Sequence, residues 1–231
     1  MSVALVLPCY NPPAQWAQNV VARYYEFKNA IGADVQLVIV RDGGGKWNET
    51  DISLLQAEIP LLKLVAYETN MGKGYAIRQG ILQAEAEIYL YTDIDFPYLN
   101  AGMVALYKAL AGKEADMVIG VKDETYYRQM PPQRRFISKA LRKMIRLVFA
   151  LPVSDTQCGL KGFNKKVKQV FLSTTINRYL FDLEFIRKGY KANFTIKPVP
   201  VALKQGVHAP NVNHKVLLGE MVNFIRVMLK K

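Results

Sequence analysis

The sequence predicts an α/β protein with a mainly parallel sheet flanked by helices. Short β-rich apolar runs alternate with helical stretches between residues 3 and 122. That order gives right-handed crossovers and parallel pairing. The 231 residues are 51% hydrophobic and 22% charged, with no linker-like break, low-complexity tract or repeat, so one domain is expected. The apolar runs also end in "PCYN", "RDGGGK", "ETNMGKG" and "TDID". Open α/β sheets bind ligands at such strand ends.

The first strand is "VALVLP", residues 3–8, and "AQWAQNVVARYYEFKNAIG" reads as a helix closed by Gly32. "VQLVIVRD" (35–42) is the second strand, followed by a helix in "DISLLQAEI" and a third strand in "LLKLVAYE". "KGYAIRQGILQAEA" is helical, with Ala76, Ile77, Gly80, Ile81 and Ala84 along one side. "EIYLYTD" and "ADMVIGVK" complete five strands.

The formal charge is +12, and residues 122–168 hold 12 Lys and Arg against 3 Asp and Glu. Such a block suits an anionic partner or forms a solvated basic face. Cys9 and Cys158 are the only cysteines, which fits reduced thiols rather than a disulfide scaffold. The N-terminus lacks the features of a secretory signal, and no apolar run nears the roughly 18 residues of a spanning helix. A cytoplasmic location is expected.

Asp93 and Asp95 flank one isoleucine where the fourth strand ends. Side chains two apart on an extended chain point the same way, with alpha carbons ~6–7 Å apart. Two such carboxylates repel unless a cation joins them. Mg²⁺ or Mn²⁺, held by one or two carboxylates and substrate phosphates, suits that need. Alternatively, one Asp caps the next helix in a solvated turn. The P-loop signature is absent, because "NMGKGY" has no Ser or Thr after its lysine. The dinucleotide fingerprint is absent after the first strand as well.

Together "VLPCYN", "DGG", "NMGKGYAIRQGI", "YTDIDFPY", "ADMVIGVK", "RRFISKALRKMIR", "DTQCGLKGFN" and "FDLEFIRKGYK" resemble the inverting family 2 glycosyltransferases of GT-A fold. The polyprenyl-phosphate (dolichyl-phosphate) hexosyltransferase branch is the most similar. The resemblance runs from about Val3 to Val201. Two positions depart from the family pattern: Arg41 stands where an Asp is common, and Pro12 where a Glu is common. Both adjoin the base pocket, so uridine and guanosine stay open.

The resemblance implies a Rossmann-like sheet binding a nucleotide-sugar donor, UDP-glucose or GDP-mannose. It implies that Pro8, Tyr10 and Asn11 shape the base pocket, with Asp42 accepting from a base N–H. Gly72 and Lys73, at a helix start, would favour the pyrophosphate. Asp93 and Asp95 would hold Mg²⁺ or Mn²⁺, with Asp95 the direct ligand and Asp93 able to reach ribose or sugar instead. Arg128, Arg134, Arg135 and Ser138 would hold a lipid-phosphate acceptor, with Asp155 and Gln157 on the far wall. Such an acceptor is already anionic and needs no general base. Asp182 occupies the place of the base in hydroxyl-using relatives. The implied layout is a single domain over 1–231: a nucleotide-sugar half (1–121), an acceptor half (122–212) and an amphipathic C-terminal helix (213–231).

Ile137, Leu141, Met144 and Val148 form an apolar stripe opposite Arg135, Lys139, Arg142 and Arg146. Leu218, Met221, Val222, Ile225, Met228 and Leu229 form another. Peripheral attachment to a membrane surface is expected, with no nucleic-acid partner. Two other readings stand: a family 2 enzyme using Asp182 as base toward a saccharide hydroxyl, and a non-enzymatic basic anion- or membrane-binding module.

Overall fold

A computed structural model describes residues 1–44, 47–122, 145, 149, 151–153, 155–204, 223–224 and 227. In chain order the elements are β1 (Val3–Cys9), α1 (Trp16–Ile31), β2 (Val35–Asp42), α2 (Glu49–Glu58), β3 (Leu62–Tyr67) and α3 (Lys73–Gln83). Then come β4 (Ile88–Tyr91), α4 (Asn100–Ala111), β5 (Met117–Lys122), β6 (Lys161–Asn164), α5 (Lys168–Leu172), α6 (Phe181–Lys191) and β7 (Ile196–Val201). They form a seven-stranded sheet in the order β3-β2-β1-β4-β6-β5-β7. Only β6 runs antiparallel to its neighbours, β4 and β5. The mainly parallel α/β expectation holds.

Local chemistry sets the boundaries. Gly32 ends α1 in a left-handed conformation at φ 60°, donating its N–H to Lys28 O. Asn48 caps α2 by accepting from Asp51 N–H at 2.7 Å. Alternate β1 residues serve opposite faces. Val3, Leu5 and Leu7 meet the Trp16, Val20, Tyr24 and Phe27 side of α1 together with Met103 and Leu106 of α4. Ala4 and Val6 join Ala76, Ile77 and Ile81 of α3 and the phenylalanines of α5 and α6. The central strands are buried on both faces, as parallel sheets require.

Two strands and three helices lie beyond those expected from the apolar runs. β6 is only "KGFN", which has little β propensity and is a strand because β4 and β5 flank it. β7 carries Pro198 and Pro200, which read against a strand, but it lies at the sheet edge where missing N–H groups are tolerated. α4 is so apolar that it shows no clear polar stripe. It packs through Gly102, Met103, Leu106, Ala109 and Leu110. Of the two amphipathic segments, Ile145, Phe149 and Val227 are buried in the α3/α6 layer, and Phe149 meets Phe224 edge-on at 5.5 Å. Arg135, Lys139, Arg142 and Arg146, the stripe Ile137, Leu141, Met144 and Val148, and the stripe residues of 213–231 lie outside the described residues. Among the described residues no helix is long and apolar enough to cross a membrane.

α3 sits on the sheet at Gly80. A Cβ there would lie 2.4 Å from Val6 Cγ1 and 3.0 Å from Val40 Cγ2. In an open helix Gly→Ala gains roughly 1 kcal/mol. Here overpacking, typically about 1–3 kcal/mol, opposes that gain. Gly80→Ala is expected to lower the urea midpoint, the reverse of its propensity effect.

Candidate active site

The strand ends open into a cleft of about 620 Å³. β1 contributes Pro8, Tyr10 and Asn11, β2 contributes Asp42, and the start of α3 contributes Gly72 and Lys73. Asp93 and Asp95 follow β4. Gln157 and Gly159 precede β6, whose antiparallel run starts at this same end. Arg178 and Tyr179 arrive from the loop before α6. Nine of the expected site residues therefore share one cavity. Arg178 and Tyr179 were missed. The available signal was a cation and an aromatic ring directly ahead of the acidic helix start "FDLE".

The Asp93–Asp95 segment is a turn rather than an extended strand. β4 ends at Tyr91, Phe96 donates its N–H to Asp93 O at 3.0 Å, and Phe96 lies at φ 48°. The two carboxylates therefore do not play equal parts. Lys73 Nζ sits 2.5 Å from Asp93 Oδ1, with both side chains largely shielded. Burial opposes the Lys73 charge, but Asp93 and Asp182 outweigh it and push the ammonium pKa up. Gly159 makes room for the pair: a Cβ there would lie 2.4 Å from Asp93 Oδ2. Asp95 is exposed to the cleft, and its flanking protein and the Asp93 charge push its carboxyl above the ordinary range. Among the described residues no group of three or more His, Cys, Asp or Glu could hold a metal ion. A divalent ion here would have to complete its shell from a ligand's phosphates.

Asp42 lines the cleft with its carboxylate already engaged. Its buried carboxylate accepts from Tyr67 OH at 2.9 Å, Asn70 Nδ2 at 3.2 Å, Met71 N–H at 2.7 Å and Gly72 N–H at 2.9 Å. Those bonds fix the β3–α3 loop and leave little capacity for a base N–H. Burial and the Asp42 carboxylate in turn push the Tyr67 hydroxyl well up. Gly72 needs its φ of 100°, which brings it against Asn177 O.

The helix start is engaged as well. Gly72 N–H goes to Asp42, while Gly74 N–H and Tyr75 N–H donate to Asn177 O at 2.7 and 3.2 Å. Three N–H groups at the start of α3 are thus already taken by protein groups. Anion binding there would draw mainly on side chains.

Asp182 does not line the cavity. Its carboxylate is buried, with Lys161 Nζ 3.0 Å from Oδ2 and Tyr91 OH donating to Oδ1 at 2.6 Å. Burial raises its pKa, against the pull of Lys161, Lys73 and Tyr91. A carboxylate held this way is poorly placed to take a proton from a substrate hydroxyl, so the base assignment is not supported. Asp155 is buried as well, accepting from Lys122 N–H at 3.3 Å and Gln157 N–H at 3.1 Å. It shapes the wall, while Gln157 faces the cavity. Cys9 is no nucleophile, since burial pushes its thiol up to about 12. Arg128, Arg134, Arg135 and Ser138 lie outside the described residues.

Solved structures share this fold. Glucosyl-3-phosphoglycerate synthase of Mycobacterium tuberculosis aligns at TM-score 0.63 and 15% identity, covering 99% of this chain and 78% of that one. Mannosyl-3-phosphoglycerate synthase of Rubrobacter xylanophilus aligns at TM-score 0.71 and 14% identity, covering 99% and 73%. The architecture is the GT-A glycosyltransferase fold. No family model matches the chain. Its curated homologues include several dolichyl-phosphate β-glucosyltransferases, which bears out the resemblance read from the motifs. One from Trichomonas vaginalis is 26% identical over 211 residues, 86% of this chain and 64% of the relative. Another from that organism is 30% identical over 219 residues, with shares of 86% and 64%. The Saccharomyces cerevisiae enzyme is 22% identical over 221 residues, with shares of 87% and 66%. The chain thus spans about two thirds or less of the length of these relatives.

Removing the Asp182 carboxylate leaves Lys161 buried beside an empty position. Breaking one side of a buried pair costs about 3–5 kcal/mol. Asp182→Ala is expected to lose stability on that scale by urea denaturation.

Proposed function

We propose that the chain is an inverting, metal-dependent glycosyltransferase that moves glucose from UDP-glucose to a polyprenyl phosphate. One observation carries this reading: Lys73, Asp93, Asp95 and Arg178 meet in a single cleft at the strand ends. The names of the curated homologues supply the acceptor class and the sugar. Complexes of the mycobacterial fold neighbour that contain Mn²⁺ with UDP-glucose, and Mg²⁺ with UDP, support the donor and the metal.

The residues present fit a divalent ion. Asp95 is an exposed carboxylate whose surroundings disfavour its charge, so a cation would be welcome there. Asp95, with Asp93 beside it, would hold Mg²⁺ or Mn²⁺ together with donor phosphates. When bound, such an ion stabilises charge on the leaving diphosphate. Pro8, Tyr10 and Asn11 would frame the nucleoside, with exposed Tyr10 offering its ring as a flat face. Lys73, held by Asp93, fixes positive charge at the inner end of the cleft.

In the transfer itself, an anionic oxygen of the acceptor phosphate forms a bond to the sugar anomeric carbon. The bond from that carbon to the nucleoside diphosphate breaks on the opposite side, and the diphosphate leaves with the electron pair. No proton need be removed, so the chemistry asks for positioning rather than a base. Residues 1–121 would supply the donor half. Residues 122–212, including Arg128, Arg134, Arg135 and Ser138, would supply the acceptor half. The basic excess of that half, with the stripes at 135–149 and 213–231, would hold the protein on an anionic membrane surface, its cytoplasmic face by our reading.

Two other readings are weaker. A hydroxyl acceptor would need Asp182 as base, and Asp182 is buried in an ion pair. A non-enzymatic basic module leaves the converging strand-end residues unused.

The test is a thermal-shift screen of UDP- and GDP-sugars with and without Mn²⁺. UDP-glucose with Mn²⁺ is expected to raise Tm, and Asp95→Ala to abolish the metal-dependent part. An unchanged shift in Asp95→Ala would remove Asp95 from the metal site.

A further inference from the structure

Resting on the reading that the cleft takes a nucleotide-diphosphate sugar, we infer that Arg178 is the residue that grips the leaving diphosphate. The sequence motifs give Arg178 no role, and at the start of α3, where the diphosphate was expected, Gly72, Gly74 and Tyr75 already donate to protein groups.

Three observations carry the inference. First, most of the N–H groups at the α3 start are spent: Gly72, Gly74 and Tyr75 donate theirs to Asp42 and Asn177. An anion there would be met mainly by side chains. Second, the cations differ in availability. Lys73 is paired with Asp93, whereas Arg178 is exposed to the cavity and forms no ion pair among the described residues. Its stem passes over Gly72, where a Cβ would meet Arg178 Cγ at 3.1 Å.

Third, the backbone that carries Arg178 is anchored from beneath. Arg78 is buried and donates to Ile176 O at 2.8 Å, to Thr174 Oγ1 at 3.3 Å and to Asn177 Oδ1. Glu184 accepts from Thr175 N–H and Ile176 N–H, each at 2.8 Å. Asn177 O is held by α3. A guanidinium set on so fixed a base is preorganised for paired phosphate oxygens, and its planar fork matches them. Charge growing on a leaving diphosphate is best met by a cation already in place.

Binding of UDP and of UMP in Mn²⁺ is measured by calorimetry for wild type, Arg178→Ala and Arg178→Lys. UMP lacks the terminal phosphate, so it reports on the nucleoside and first phosphate alone. Arg178→Ala is expected to weaken UDP roughly 10- to 100-fold, as for a charged hydrogen bond, and UMP less than twofold. Arg178→Lys should recover part of the loss. An unchanged Tm for the side-chain variants shows that the fold is intact. Equal loss for UDP and UMP would overturn the inference, because the residue would then shape the pocket rather than grip the diphosphate. Unchanged UDP binding with a raised KM for polyprenyl phosphate would overturn it in favour of the acceptor. If wild type bound neither UDP nor GDP in Mn²⁺, the donor reading itself would fall. That outcome shows in the wild type, whereas failure of the Arg178 assignment shows only in the variants.

Discussion

The ion pair between Lys73 and Asp93 is the contact on which the cleft depends. It joins the start of α3 to the turn after β4, and it exists only because Gly159, ahead of β6, has no side chain. Three chain segments distant in sequence are thereby pinned at one point. Below it the charges alternate: Lys161 pairs with Asp182, Asp182 acts on Lys73, and Lys73 pairs with Asp93. Each such attraction offsets part of the cost of removing its charges from water. An alternating series satisfies its members in a way that a cluster of one sign cannot. Asp95 stands at its outer end, next to Asp93 and exposed to the cleft.

Hydrogen-bonded scaffolding does the complementary task. Asp42 on one side and Asn177 O on the other accept loop and helix-start N–H groups, while Arg78 and Glu184 hold the segment that carries Asn177. Side-chain cations on anchored backbones keep the field directed while their tips can follow the leaving group. Gly72, between the two scaffolds, is the position where their close approach demands the left-handed backbone that only glycine adopts easily.

The sheet and the location of the site were legible in the sequence because both follow from periodicity. Apolar runs broken by amphipathic stretches dictate parallel strands, and parallel strands put "PCYN", "DGG", "NMGKG" and "TDID" on one edge. The order β6-β5-β7 was not legible. "KGFN" and "IKPVPV" owe their strand state to neighbours and to an edge, neither of which is written locally. For the same reason residue type did not reveal how far a carboxylate was already committed. Asp42 and Asp182 look as uncommitted as Asp95 in the sequence, and only the fold brings Tyr67, Met71, Gly72, Lys161 and Tyr91 against them. Arg178 escaped notice because its importance comes from the occupied N–H groups of a helix more than a hundred residues earlier.

The burial of Asp182 bears directly on the proposed acceptor. A sugar hydroxyl gives up its proton only at very high pH, so an enzyme using one needs a carboxylate that touches the nucleophile and is ionised but not spent on a lysine. Asp182 meets neither condition, being buried and paired with Lys161. A phosphate monoester is ionised near neutral pH and makes no such demand. It demands cations instead, and the 12 Lys and Arg between residues 122 and 168 are the densest supply in the chain. With an acceptor that brings its own charge, the position used elsewhere for a base is free for another use. Here it holds Lys161 in the core and adds to the field that keeps Lys73 charged. A carboxylate buried and paired in this way is compatible with a phosphate acceptor, and the geometry of Asp182 supports the proposed acceptor over a hydroxyl.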